Sequence, residues 1–75
     1  MPADPQSLHY LILTYAVSEP GDWTLTTIEE DLPNPAPGLR QAADELVKVG
    51  LMHINSYDGR LWPLKAGRDL LRRAS

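Results

Sequence analysis

"GLMHINSYDGRLWPLKAGRDLLRR", residues 50–73, carries the strongest structural signals in this 75-residue chain. Apolar and polar side chains alternate over residues 52–55, which is typical of a half-buried strand. Asp58-Gly59 predicts a two-residue turn, and Pro63, which has no N–H to donate, places the second strand at a sheet edge. The stretch therefore predicts a β-hairpin, followed by a helix in KAGRDLLRR.

The segment before the hairpin, PGLRQAADELVKVGL, contains the clearest helix of the chain. Its apolar residues recur at helical spacing and predict one buried stripe, formed by Leu39, Ala43, Leu46 and Val47. Gly50 occupies the position at which a left-handed residue ends many helices, and Leu51 is expected to fold back onto Leu46. The opposite, polar face presents Arg40, Gln41, Asp44 and Lys48.

Two shorter signals predict two earlier helices. Asp4 is a predicted cap, and Pro5 suits the first position of a helix that ends at SEPGD. Thr26 and Glu29 form a predicted capping box at the start of a short second helix. Three prolines in PNPAPG, residues 33–38, exclude a helix interior and predict a turn before the third helix.

Composition indicates one small domain over residues 1–75. Apolar residues make up 43% of the chain, which is ordinary for a globular domain, and the lack of cysteine excludes disulfides and thiol chemistry. No apolar run reaches the length of a membrane span and the first residues predict no signal peptide, so a cytoplasmic location is expected. No nucleophile elbow or glycine-rich loop is present, and an enzyme is not expected.

The charged residues are divided unevenly between the two halves of the chain. Residues 1–39 carry six acidic residues and no lysine or arginine, whereas residues 40–75 carry all seven basic residues and four acidic ones. We expect the first half to repel polyanions and the second half to tolerate them. The net charge of −3 and the isoelectric point near 5.1 are lower than those of an ordinary DNA-binding domain.

The order of the predicted elements resembles that of the winged helix-turn-helix domain of bacterial transcription regulators. In many such domains the third helix ends in Leu-x-x-x-Gly-Leu, which LVKVGL matches. An aromatic residue after the hairpin then leads into x-Leu-Thr-x-x-Gly-Arg-x-Leu-Leu, and WPLKAGRDLL matches this pattern except at Lys65, which replaces the threonine cap. The resemblance covers Leu8 to Arg72. It implies an α+β fold with a three-helix core, a β-hairpin wing and a short C-terminal helix.

The resemblance also implies a function, that of a small DNA-binding transcription regulator that acts as a homodimer and needs no cofactor or metal. The third helix would lie in the major groove, where arginine suits guanine edges and glutamine suits adenine edges. The residues implied to contact DNA are Thr26 and Thr27 (phosphate), Arg40 and Gln41 (bases), Asp44 and Lys48 (the same helix face), Tyr57 (the wing tip), and Arg60 and Lys65 (the DNA backbone).

A protein-interaction module on the same fold, without DNA binding, is the alternative function. The acidic run EED, residues 29–31, lies just before the turn into the third helix and near the face that would meet DNA. Tyr10, Leu13 and Val17 form a candidate surface on the first helix for a dimer or a protein partner. A central place for that helix in a three-helix core is the competing explanation of its apolar residues.

The remaining chemistry-bearing residues predict no further site. His9 and His53 are far apart in the sequence and have no neighbouring ligand residues, so no metal site is expected. Trp23 and Trp62 are expected to belong to the core, although an indole can also stack on a base.

Overall fold

The computed structural model describes residues 5–74, and in this part of the chain four helices and one hairpin follow the predicted order. The helices are α1 (Pro5–Ser18), α2 (Leu25–Asp31), α3 (Leu39–Lys48) and α4 (Lys65–Ala74), and the strands are β1 (Met52–Ile54) and β2 (Leu61–Pro63). The prediction of a small α+β domain is confirmed, and the arrangement is compatible with a winged helix. Pro5 begins α1 as expected, whereas the predicted cap Asp4 lies outside the described residues.

α1 is the central helix of the core, because it packs against α3, α4 and β2. Ile12, Leu13 and Ala16 are buried, and only 1% of the surface of Leu13 is exposed. The prediction that Leu13 lies on an exposed partner surface is therefore wrong, since neighbouring elements cover α1 on more than one side. Of the other two residues predicted for that surface, Tyr10 is exposed and Val17 is half-buried.

α2 begins two residues earlier than predicted. Thr24 is its N-cap, with the Thr24 hydroxyl accepting from the Thr27 N–H at 3.2 Å and the Thr24 N–H donating to the Thr27 hydroxyl at 2.8 Å. The capping box predicted to begin at Thr26 is therefore wrong. The earlier start places Leu25 and Ile28, three residues apart, on the buried face of the helix.

α3 ends in the glycine motif that the sequence predicted. Gly50 has a φ of +81°, its N–H donates to the carbonyl of Val47, and the N–H of Leu51 donates to the carbonyl of Leu46 at 3.0 Å. The buried stripe differs from the prediction at two positions, because Ala42 is buried and Val47 is 37% exposed. This turn reverses the chain, so that β1 runs back along α3.

β1 and β2 pair antiparallel, which confirms the hairpin, but its loop is longer than predicted. The loop has four residues, 56–59, because Asn55 N–H donates to the Arg60 carbonyl and Gly59 N–H donates to the Asn55 carbonyl. The side chains of Asn55 and Asp58 each accept a backbone N–H two residues further along, and Gly59 has a φ of +76°. These local bonds favour the longer turn over the two-residue one.

α4 lies directly against the base of the hairpin at Gly67. A Cβ at this position would overlap with the carbonyl oxygen of Leu51 and would lie 3.1 Å from a methyl group of Leu13. Leu71 of the same helix packs against the core, and Leu70 is 41% exposed. Gly67, the glycine of WPLKAGRDLL, therefore lets the backbone of α4 pack closely against that of the hairpin base, because it has no side chain.

The two tryptophans lie in different environments. Trp23 packs against the core, and its ring meets that of Tyr15 edge-on, with 4.5 Å between the ring centroids. Trp62 is 43% exposed and lies over Gly21, where a Cβ would overlap with its indole ring. The core prediction is confirmed for Trp23, whereas Trp62 lies at the surface.

Candidate nucleic-acid interface

One face of α3 carries all the residues that the sequence assigned to the third helix. Arg40, Gln41, Asp44 and Lys48 are exposed. They lie opposite the buried stripe because hydrophobic and polar residues alternate with the helical period. We call these four residues the α3 polar face.

The hairpin loop lies beside the N-terminal end of α3. Because β1 runs back along α3 and packs against it, the loop at its end is carried towards the first turn of the helix. A cleft of about 360 Å³ separates α2, α3 and the loop, and its lining includes Thr26, Arg40, Ser56 and Gly59. Three segments that are remote in sequence therefore meet at Arg40. We call this space the loop cleft.

Arg40 also lines a second cleft on its other side. This cleft, of about 670 Å³, lies between α2, the proline-rich turn and α3, and Glu29 and Gln41 are among its lining residues. An acidic residue therefore lines each of the two clefts that Arg40 lines, Glu29 in this cleft and Asp58 in the loop cleft. The surface is mixed in charge, which lowers its attraction for a phosphate backbone relative to a purely basic one.

The two threonines assigned to a phosphate differ in what their hydroxyl groups can do. The hydroxyl of Thr27 donates its proton to the carbonyl of Thr24 at 3.0 Å and accepts from the Thr24 N–H. A hydroxyl has one proton, so the Thr27 side chain has none to donate to a phosphate. Thr26 is exposed and lines the loop cleft, and it is therefore the threonine that can contact a ligand there.

Arg60 follows the hairpin loop, but its side chain folds back onto another part of the domain. The guanidinium donates to the carbonyl of Gly21 at 2.8 Å and lies 3.5 Å from the carboxylate of Asp58. About half of the side chain, 52%, remains exposed. The contact with Gly21 joins residues 39 positions apart, so no local sequence signal could predict it.

Tyr57 and Lys65 lie at opposite ends of the hairpin. Tyr57 is in the loop and is 99% exposed, as its predicted place at the tip requires. Lys65 begins α4 at the base, where its ammonium group lies 3.3 Å from the carboxylate of Asp69. The structure therefore brings Arg40 together with Thr26 and the loop, and places Lys65 away from the loop cleft.

A separate groove lies where α1, α3 and α4 meet, with a volume of about 470 Å³. Leu13 and Leu46 form its buried floor, and Tyr10, Val49 and Leu70 are exposed along it. We call it the apolar groove. The sequence assigned Tyr10 to a partner surface but missed Val49 and Leu70, whose positions depend on how α3 and α4 pack against α1.

Two polar contacts connect α1 to its neighbours. The Nε2 atom of His9 lies 2.8 Å from the carboxylate of Glu45 on α3, at the edge of the apolar groove. The hydroxyl of Tyr15 donates to the carboxylate of Asp31 on α2 at 2.6 Å. This hydrogen bond, together with burial and the charge of Asp31, raises the pKa of Tyr15 above its usual value of 10.0.

Comparison with known proteins adds no assignment: no family model, curated protein or solved structure matches the chain. Among residues 5–74, no cluster of three or more histidine, cysteine, aspartate or glutamate side chains has the arrangement of a metal site. None of the helices in the same part of the chain has both the length and the apolar character needed to cross a membrane.

Proposed function

We propose that this chain is a winged helix-turn-helix domain that binds double-stranded DNA through the α3 polar face and the hairpin loop, as a small transcription regulator. The observation that supports it most is the place of Arg40, where α2, α3 and the loop converge. A helix that presents an exposed arginine and glutamine at its start has the shape and chemistry to enter a major groove.

In this proposal each exposed residue around Arg40 has a separate contact. Arg40 donates two hydrogen bonds to a guanine edge, and Gln41 pairs with an adenine edge. Thr26 and Ser56 line the loop cleft. Their hydroxyl groups donate hydrogen bonds to phosphate oxygens, and these bonds set the position of α3 on the duplex. Tyr57, fully exposed at the loop, contacts the backbone beyond them.

The mixed charge of this surface sets the expected strength of binding. Because Arg40 contacts a base, the cations available to phosphates are Lys48 and, once it leaves the carbonyl of Gly21, Arg60. With two such contacts, the logarithm of the binding constant should fall with the logarithm of the salt concentration with a slope of about −1.8 per chain. Phosphate attraction alone is therefore weak at physiological salt, where the proposal requires specific base contacts, while non-specific binding to any duplex is expected at low salt.

The test combines selection of a preferred sequence with one matched pair of variants. A duplex is first selected from a random pool, and binding to it is then compared for Arg40→Ala and Arg68→Ala, which remove the same charge from α3 and α4. We expect Arg40→Ala to weaken binding by about 1–3 kcal/mol, because one bidentate base contact is lost. Arg68→Ala should bind nearly as the wild type does. Equal losses in the two variants would contradict α3 as the recognition helix.

A protein-interaction module that does not bind DNA is the second candidate. It is favoured by the acidic residues Glu29 and Asp58, which line the two clefts beside Arg40, and by the apolar groove. In that case no sequence would be enriched from the random pool, and the folded protein would remain unbound at low salt.

A further inference from the structure

We infer that the apolar groove binds a small amphipathic amine, a molecule with an apolar ring or chain and one protonated amino group. The first observation is the size of the groove. Its volume of about 470 Å³ lies within the range of about 300–1,000 Å³ that is typical of small-molecule sites. Within residues 5–74, eight residues line it. A protein partner contacts about 20–30 residues, so a small molecule fits within the groove and a protein would extend beyond it.

The second observation is that the apolar lining of the groove adjoins a polar end. Leu13 and Leu46 are buried and form the floor. His9 lies one helical turn before Leu13 on α1, and Glu45 lies one turn before Val49, which follows α3. The 2.8 Å contact between Nε2 of His9 and Oε1 of Glu45 brings these two polar positions together. A bound molecule therefore meets polar groups at one end of the groove and leucine and valine side chains along the rest.

The chemistry of the polar end favours a cation. His9 contacts Oε1 of Glu45, and among residues 5–74 the Glu45 side chain has no other hydrogen bond or ion pair, which leaves Oε2 able to accept. This side chain is 52% exposed, so a ligand can reach it. Tyr10 also lines the groove, and both its ring and its hydroxyl oxygen attract an ammonium group.

The same lining is poorly suited to an anion. No lysine or arginine of residues 5–74 lines the groove, and Nε2 of His9 already faces Glu45. A carboxylate or phosphate would therefore approach the charge of Glu45 without a free basic group to receive it. An ammonium group, in contrast, gains a charge-assisted hydrogen bond at the same position.

The position of the groove leaves the α3 polar face free. Glu45 and Val49 lie near the C-terminal end of α3 and just after it, whereas Arg40 and Gln41 are in its first turn. Amine binding and DNA binding thus use different residues. Either proposal can fail without the other, since amine binding is measured with no DNA present.

The first test titrates the isotope-labelled full chain with three probes that share a phenyl ring and differ in charge, and follows the backbone amide signals by NMR. The probes are the phenethylammonium ion, neutral phenethyl alcohol and the hydrocinnamate anion. We expect phenethylammonium to shift the signals of groove residues such as Leu46 and Leu70, with a dissociation constant of about 1–10 mM for a ligand of this size. The alcohol should bind about two- to fivefold more weakly, because an exposed ion pair contributes about that factor, and the anion more weakly still.

The second test separates the carboxylate from the apolar lining with two matched pairs of variants. Glu45→Gln should remove the preference for the amine over the alcohol, whereas Glu30→Gln, which removes the same charge from an exposed residue outside the groove, should keep it. Leu70→Ala should weaken phenethylammonium binding about fourfold or more, because one buried CH₂ contributes about that factor. Leu64→Ala is its control, since Leu64 is also 41% exposed but does not line the groove. Circular dichroism confirms that each variant is folded.

Several results would overturn the inference. These are unchanged groove signals at about 20 mM phenethylammonium, equal affinities for the three probes, or equal effects of the two glutamate variants. Groove signals that move with protein concentration before any probe is added would identify a second copy of the chain as the occupant, and would also overturn it.

Discussion

Replacing Gly67 with alanine tests the packing of α4 against the hairpin base. In an ordinary helix, glycine to alanine stabilises by up to about 1 kcal/mol, since alanine has the higher helix propensity. Here the added Cβ would overlap with the backbone oxygen of Leu51, which also accepts the N–H of Leu64 at 3.1 Å. A backbone atom cannot rotate away as a side chain can, so the substitution requires α4 to move outwards.

The expected magnitude is the difference between these two effects. Overpacking a close contact costs about 1–3 kcal/mol, and a rigid backbone neighbour favours the upper end of that range. After subtraction of at most about 1 kcal/mol for helix propensity, we expect Gly67→Ala to lower the free energy of unfolding by about 2 kcal/mol. For a domain of this size, that corresponds to a fall in melting temperature of about 8–16 °C.

Urea and thermal unfolding, followed by circular dichroism at 222 nm, measure the effect. Ala66→Gly provides the control, because Ala66 is the exposed neighbour of Gly67 in the same helix. It should also destabilise, by at most about 1 kcal/mol, through propensity alone. Gly67→Ala and Ala66→Gly are thus both expected to lower the free energy of unfolding, although helix propensity alone predicts that Gly67→Ala raises it and Ala66→Gly lowers it. A higher melting temperature for Gly67→Ala would show that α4 does not lie against Leu51 as described.

Two further predictions concern α2 and its contact with α1. Thr24→Ala should lower the free energy of unfolding by about 1 kcal/mol in urea denaturation, because it removes the N-cap, while Thr26→Ala should have little effect; the reverse order would place the cap at Thr26. The raised pKa of Tyr15 means that the folded state favours the neutral phenol, so its contribution to stability is complete below pH 10 and is lost as the pH rises above that value. Unfolding of the wild type and of Tyr15→Phe from pH 8 to pH 11 should show a stability difference that decreases above pH 10, and a constant difference would exclude this role for the hydrogen bond to Asp31.

The parts of the fold that the sequence predicted well are those encoded by neighbouring residues. The end of α3 needed only a glycine at one position and an apolar residue after it, and Gly50 and Leu51 adopt the predicted hydrogen bonds. The α3 polar face needed only the helical period. The start of α2 was predicted wrongly because three threonines lie within four residues. Glu29 lies three residues after Thr26, as in a capping box, and this spacing favoured Thr26 over the actual N-cap, Thr24.

The parts that could not be predicted depend on contacts between distant segments. Leu13 is buried because α4 covers a side of α1 that a shorter domain would leave exposed. Arg60 looks like a free cation in the sequence, yet its guanidinium binds the carbonyl of Gly21. The apolar groove depends on the packing of three helices, which places Val49, just after α3, and Leu70 of α4 along one groove, and neither residue stands out in its own segment of the sequence. The residues of a candidate surface on one helix or loop were therefore predictable, whereas the contacts of those side chains with distant segments were not.

The most direct measurement of the central claim, DNA binding, is fluorescence anisotropy of a labelled random-sequence duplex titrated with the protein at several salt concentrations. We predict measurable binding at low salt, with a log–log salt slope of about −1.8 for one bound chain and about −3.6 for two. Lys48→Ala should make that slope shallower by about one unit per bound chain. Absence of binding at low salt, at protein concentrations up to roughly 0.1 mM, would contradict the claim, since non-specific DNA binders associate well below that concentration.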